Sequence, residues 1–170
     1  MKTQKIYLNR PSLQNFIDKK DLIGAEVGVL QGKNSFDMLE KLDIKKLYLI
    51  DIWSHNRSDK NMSIKRLKKF EDKIIFLHVD SIKACEYIKD NELDFVYIDG
   101  DHRYEGVKED INNYYSKVKM GGLICGHDYG RGKTKDVDKA VNEKFGKENV
   151  ETDFCLDSIN NHSDWWVWKK

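Results

Sequence analysis

A doubly wound α/β sheet is what this sequence predicts, and three observations predict it. Short apolar runs alternate five times with stretches of helical periodicity. Most of those runs are near-continuous apolar blocks, the pattern of strands buried on both faces of a parallel sheet. Carboxylates and glycines gather just after the runs, where open α/β sheets place their ligands. With 170 residues the chain suits one domain. No repeat or compositional break divides it, so residues 1–170 are read as a single domain.

The apolar runs are Leu22–Val29, Lys46–Asp51, Ile74–Val79, Leu93–Asp99 and Gly122–Cys125. After the first, Phe36, Leu39 and Leu42 recur at helical spacing. Ile64, Leu67 and Phe70 line a strongly basic helix before the third run. Ile82, Cys85 and Ile88 form a shorter stripe before the fourth. Val107, Ile111, Tyr114 and Val118 give the clearest amphipathic pattern, before the fifth. Val137, Ala140, Val141 and Phe145 mark a last helix, which Gly146 is placed to stop. The tail departs from this alternation. Val150–Leu156 and Trp165–Trp168 read as two strands joined by a polar loop, Asp157–Asp164. No helix fits between them, so they should form an antiparallel hairpin at one sheet edge. Trp165, Trp166 and Trp168 alternate across both faces of the last strand, which favours core packing over a stacking platform. The N-terminal decapeptide and Ser54–Asn61 are expected to be loosely held.

Lys and Arg total 30 against 29 Asp and Glu, a net charge of +1. A dedicated nucleic-acid binder usually carries a clear basic excess, so nucleic acid is excluded from the expected partners. The basic run Lys65–Lys69 reads as a solvated helix face. Cys85, Cys125 and Cys155 are widely spaced, with no CxxC pair. They read as reduced thiols, neither a disulfide framework nor a zinc site. No apolar run approaches the 18 or so residues of a membrane span, and the first ten residues lack a signal-peptide core. A cytoplasmic protein without a membrane partner is the default expectation.

Nearly every predicted strand ends in a carboxylate. Glu26-Val-Gly28-Val-Leu-Gln-Gly32-Lys-Asn-Ser35 follows the first, Asp51-Ile-Trp53 the second and Asp80-Ser81 the third. Asp99-Gly100-Asp101-His102 follows the fourth and Gly126-His127-Asp128-Tyr129 the fifth. Clustered like charges repel, so a ligand with hydroxyls, amines or positive charge, or a metal ion, should compensate them. Gly28 and Gly32 permit a tight turn and a close backbone approach. Their G-x-x-x-G spacing is not the GxGxxG of a dinucleotide site, and there is no P-loop. Asp51 stands where a ribose-binding acid belongs. A nucleoside without a pyrophosphate points toward S-adenosylmethionine.

These residues resemble a known family. The E-x-G-x-x-x-G-x-x-S stretch from Glu26 to Ser35 is similar to the first motif of class I S-adenosylmethionine-dependent methyltransferases. Leu93–Asp110, with its Tyr-Ile-Asp-Gly-Asp-His core, and Gly121–Tyr129 resemble the subgroup called methyltransferase domain 24, related to catechol and macrocin-type sugar O-methyltransferases. The resemblance implies a Rossmann-like seven-stranded sheet of order 3-2-1-4-5-7-6 with the last strand antiparallel. It also implies methyl transfer to a hydroxyl of a small molecule or sugar. Among cofactor-binding residues it places Glu26 and Gly28 toward the methionine part, with Gly32 and Ser35 of the same motif also counted as cofactor-binding, Asp51 on the ribose, and Asp80 and Ser81 on the adenine edge with Trp53 as a wall. Asp99 lies near the sulfonium. A divalent cation, magnesium or manganese, would take Asp99, His127 and Asp128, although an imidazole departs from the all-oxygen shells that magnesium prefers. Asp101 matches a proposed general base, and His102 is the other candidate.

Other readings of the same residues stand beside this one. Asp51 and Asp80 are of the type that caps helices, and His102 and His127 could be hydrogen-bonded structural histidines. A nicotinamide-dependent oxidoreductase would use a similar sheet, but the missing GxGxxG counts against it. A non-catalytic S-adenosylmethionine-binding module would keep the cofactor residues and lack turnover. Only about twenty residues precede the first strand. Such a small cap leaves an open site for a sugar or small molecule, or one completed by a second subunit in a homodimer.

Overall fold

The computed structural model describes residues 7–54, 57–132, 135–155 and 163–170. Seven strands form one sheet: β1 Leu22–Val27, β2 Ile44–Ile50, β3 Ile74–Leu77, β4 Leu93–Ile98, β5 Val118–Tyr129, β6 Glu151–Phe154 and β7 Ser163–Trp168. Their order is β3-β2-β1-β4-β5-β7-β6. The first five run parallel, while β7 is antiparallel to both β5 and β6. Helices α1 Lys33–Lys41, α2 Arg57–Leu67, α3 Ser81–Ala84, α4 Tyr104–Tyr115 and α5 Asp136–Phe145 make the crossovers. The fold is therefore the Rossmann-like one that the sequence predicts, with β7 inserted between β5 and the edge strand β6.

The sheet divides the core into two layers, because side chains alternate across each strand. On β4, Val96 and Ile98 pack with Val107, Ile111 and Tyr114 of α4 and with Val137 and Val141 of α5. Phe95 and Tyr97 face the other way, onto Met38 and Leu39 of α1, Leu67 of α2, and Leu13 and Phe16 of a 3-10 turn. The tryptophans split as their alternation predicts, Trp165 to the first layer and Trp166 and Trp168 to the second.

Several boundaries differ from expectation. β5 extends to Tyr129, so the Gly126–Tyr129 stretch belongs to the strand, with an irregular register between Gly126 and Tyr129. Val118 begins β5 instead of ending α4. Ile82 is exposed, because α3 is one turn long and continues as a 3-10 turn from Cys85. Of the expected loose segments, residues 1–6 and 55–56 lie outside the described residues. Leu8 is buried and Asn61 lies within α2. Residue 156 of the expected strand and residues 157–162 of the expected loop are likewise outside them, whereas Asp164 is the second residue of β7 and fully buried.

Two glycines let the neighbours of β4 close in on its end. A Cβ on Gly28, whose φ is +90°, would sit 2.1 Å from the Asp99 carbonyl oxygen, and one on Gly126 would sit 2.3 Å from that of Ile98. Gly28→Ala should therefore lower stability by about 2–4 kcal/mol, from the backbone clash and left-handed strain together. Urea denaturation checks this, and a loss below ~0.5 kcal/mol would refute the packing account.

Candidate active site

The carboxyl ends of β1 to β5 surround a cleft of about 1050 Å³. That is the top of the ~300–1,000 Å³ range of ligand pockets, room for a nucleoside cofactor and a small acceptor together. Gly28, Asp51, Trp53, Asp80, Ser81 and Asp99 line it, as do Asp101, His102, His127 and Asp128. Glu26, Gly32 and Ser35 are not among the lining residues.

Glu26 is buried behind the first loop. Its carboxyl accepts hydrogen bonds from Asn34 Nδ2 at 2.9 Å and from Ser35 Oγ, tying the end of β1 to the start of α1. Burial raises its carboxyl to about 8. Gly32, at φ +70°, precedes α1 and packs over Ser63 and Leu67 of α2. These residues shape the loop that borders the cleft.

Asp51 fixes that loop from the other side. Its Oδ2 accepts the backbone N–H groups of Val29 at 2.9 Å and Leu30 at 2.8 Å, and its Oδ1 accepts that of Trp53 at 2.6 Å. Trp53 Nε1 donates to the Leu30 carbonyl at 2.8 Å, closing a small ring of contacts. Asp80 caps α3 by accepting from Lys83 N at 2.8 Å. The capping role is thus real, and it coexists with a place in the cleft wall.

The reactive end lies after β4 and β5. His102 Nε2 is 3.1 Å from Asp99 Oδ1 and 3.1 Å from Asp128 Oδ2. The hydrogen bond to Asp99 and the charges of Asp128 and Asp99 raise its imidazole above the usual range, against the effect of burial. Arg131 Nη1 reaches Asp128 Oδ2 at 2.6 Å. Asp101 is gripped by Arg103, whose Nη2 lies 2.5 Å from Oδ2, and this lowers its carboxyl below the usual carboxylate range.

His127 does not join Asp99 and Asp128 in the way the sequence implies. Its Nδ1 turns to Asp164 Oδ1, 3.3 Å away, while Nε2 is 3.8 Å from Asp128 Oδ1. The ligand atoms that converge on Asp99 and Asp128, all within 4.8 Å of one another, include His102 in its place, while His127 groups with Cys155 and Asp164. Two carboxylates and an imidazole fit a divalent ion of the manganese, iron or zinc type better than magnesium.

Sequence reasoning missed Asp110, Arg131 and Asp164. Asp110 lies on the buried face of α4 and also lines the cleft, and burial raises its carboxyl to about 6. A charged residue within the apolar stripe Val107-x-x-x-Ile111 was its available signal. Arg131 lies in a glycine-flanked loop with no distinguishing pattern.

A sequence profile described as Methyltransferase domain matches residues 25–129. The chain belongs to the methyltransferase domain family. An uncharacterised protein of Acanthamoeba polyphaga mimivirus is 30% identical over 131 residues, 69% of this chain and 56% of that protein. The chain thus spans little more than half the length of this relative. An rRNA methylase from Streptococcus thermophilus shares the fold at TM-score 0.69 and 14% identity, over 99% of this chain and 98% of its own. A methyltransferase structure from Streptococcus mutans in complex with SAH matches at TM-score 0.68 and 14% identity, over 94% of each chain. A precorrin-6y methyltransferase from Geobacter metallireducens matches at 0.70 and 17%, over 94% of this chain and 85% of that one. With an rRNA methylase among these neighbours, the exclusion of nucleic acid drawn from charge balance is not supported. Among the described residues, no helix is long and apolar enough to cross a membrane.

The buried Glu26 generates a prediction about pH. A folded pKa near 8 against 4.5 unfolded means that the folded state holds the extra proton between those values. Stability contributed by neutral Glu26 is full below about pH 4.5, falls as pH rises through this window and is lost above pH 8. Glu26→Gln should remove that decline, gaining on the order of 2–4 kcal/mol relative to wild type between pH 5 and pH 8. Chemical denaturation at the two pH values checks it, and parallel profiles for both proteins would contradict it.

Proposed function

We propose that residues 1–170 form a single domain that moves the methyl group of S-adenosylmethionine to a hydroxyl of a small molecule or sugar. The observation that carries this reading is the His102 imidazole held between Asp99 and Asp128 on an acidic cleft wall. A hydroxyl must lose its proton as it attacks, and this is where a proton acceptor is held by two oriented carboxylates. A wall of carboxylates also favours a cationic cofactor and a hydroxylated acceptor over a phosphate-rich one.

S-adenosylmethionine supplies an already activated methyl, so the chain's main task is alignment. Asp51, with unused acceptor capacity on a carboxylate fixed by three backbone N–H groups, would take the ribose hydroxyls. Asp80 and Ser81 would hold the adenine edge, and Trp53 would wall it. Gly28 lets β1 and β4 converge so that Asp99 faces the sulfonium. Glu26, Gly32 and Ser35 act from behind, by fixing the loop between β1 and α1. His102 takes the acceptor proton. Asp101 is the weaker base, because its pair with Arg103 must first open. Should Asp99, His102 and Asp128 hold a divalent cation, it would lower the pKa of the acceptor hydroxyl.

Asp99→Ala and His102→Gln should each lower kcat by ~10²-fold or more, whereas Asp101→Asn should cost less than ~10-fold. A transfer assay with labelled S-adenosylmethionine checks this over sugars, catechols, amines and RNA. Wild-type turnover in Asp99→Ala would refute the assigned site. Transfer confined to RNA would refute the acceptor class. Chelator followed by manganese or magnesium decides the ion: activity unchanged by chelator removes it from the mechanism.

A further inference from the structure

A second cluster of ligating side chains lies outside the methyl-transfer constellation, where the ends of β5, β6 and β7 meet the N-terminal 3-10 turn. His127 Nδ1, Cys155 Sγ and Asp164 Oδ1 form a triangle with edges of 3.5 Å for Cys155–His127, 3.1 Å for Cys155–Asp164 and 3.3 Å for His127–Asp164. Zinc binds sulfur at ~2.3 Å and imidazole nitrogen or carboxylate oxygen at ~2.0–2.2 Å, which sets tetrahedral ligand–ligand edges at roughly 3.3–3.6 Å. The three donors already stand close to that spacing.

We propose that His127, Cys155 and Asp164 bind a zinc-type divalent ion, with a fourth position left to water or to Ser12 Oγ. The donor set is mixed S, N and O, which selects zinc over magnesium or calcium. This assigns a metal role to Cys155 that cysteine spacing alone does not reveal, because the donors come from three different strand ends that only the fold brings together. Binding displaces the Sγ proton to solvent, and no redox change occurs.

The surroundings have the form of a supporting shell. Asp164 is fully buried. Ser12 Oγ donates to its Oδ2 at 2.6 Å, and Tyr97 OH donates to its Oδ1 at 2.8 Å, so the ligating carboxylate is held in place. Arg10 Nη1 lies 3.4 Å from Nε2 of His127, and because ligation through Nδ1 puts the ring proton on Nε2, this contact gives way when the ion binds. The Arg10 cation opposes a second positive charge, and the thiolate formed at Cys155 offsets it. Because Ser12 belongs to the N-terminal turn, Cys155 follows β6 and Asp164 lies on β7, the ion would fasten the N-terminal segment and the tail hairpin to the sheet. His127 also lines the cleft, so this fastening reaches the acceptor side.

Cobalt(II) is the probe, since thiolate ligation gives it an intense near-ultraviolet charge-transfer band. The purified full chain should show that band and bind one equivalent with it. Cys155→Ser should abolish the band, while Cys85→Ser and Asp99→Ala retain it, which separates this site from the one at Asp99. Ser12→Ala should weaken binding about 10-fold through the lost support for Asp164. Zinc should also slow alkylation of Cys155 in the wild-type protein without changing that of Cys85, a readout that needs no variant to fold. No band, a band that survives Cys155→Ser, or alkylation of Cys155 unaffected by zinc would overturn the proposal.

Discussion

The close approach of β1 and β5 to the end of β4 is the constraint on which the site depends. It requires a missing side chain on both sides, at Gly28 against the Asp99 carbonyl and at Gly126 against the Ile98 carbonyl. With a Cβ at either position the strands would separate, and Asp99 and Asp128 would no longer share one imidazole. The two-sided burial of β4 supplies the driving force, with Phe95, Val96 and Tyr97 all fully buried. Part of the backbone strain lies at the same rim. Of the six non-glycine residues with positive φ among the described residues, Leu30, Trp53 and Asp128, at 50°, 41° and 64°, line the cleft. Non-glycine residues in that region cost about 1–3 kcal/mol each and persist where surrounding contacts over-determine them. Asp51 supplies those contacts for the first two.

The carboxylates at the strand ends are tolerable because each has a local partner. Backbone N–H groups hold Asp51, Arg103 holds Asp101, and His102 with Arg131 holds Asp128. The overall balance of 30 basic and 29 acidic residues conceals this arrangement. The cleft can therefore exist preformed, and preformed donors and acceptors reduce the ordering that ligand binding must offset.

The fold was legible in the sequence because strands buried on both faces leave apolar blocks, and turns leave glycines and acids at their ends. Boundaries were less so: β5 runs through Gly126–Tyr129 because its partner β7 supplies the pairing, and that partner is some forty residues away. The line of strand-end acids was also legible, since those residues fall where this topology puts ligands. The division of labour among them was not. Glu26 reads as a cofactor contact by position, yet burial and its bonds to Asn34 and Ser35 turn it into a strut. His127 and Asp128 are adjacent in sequence and both reach the cleft, yet the His127 Nδ1 meets Asp164 while Asp128 Oδ2 meets His102. Asp164 itself looked like part of a polar loop, because only the three-dimensional meeting of Ser12, Tyr97 and Cys155 makes a buried carboxylate acceptable there.

Whether the strand-end acids bind the cofactor in this one cleft is decided by a crystal structure of the full chain grown with S-adenosylhomocysteine. The ribose hydroxyls should lie within hydrogen-bonding distance of the Asp51 carboxylate, the adenine beside Asp80 and Ser81, and the sulfur facing Asp99. A nucleoside bound elsewhere, or in this cleft with its ribose away from Asp51, would contradict that placement.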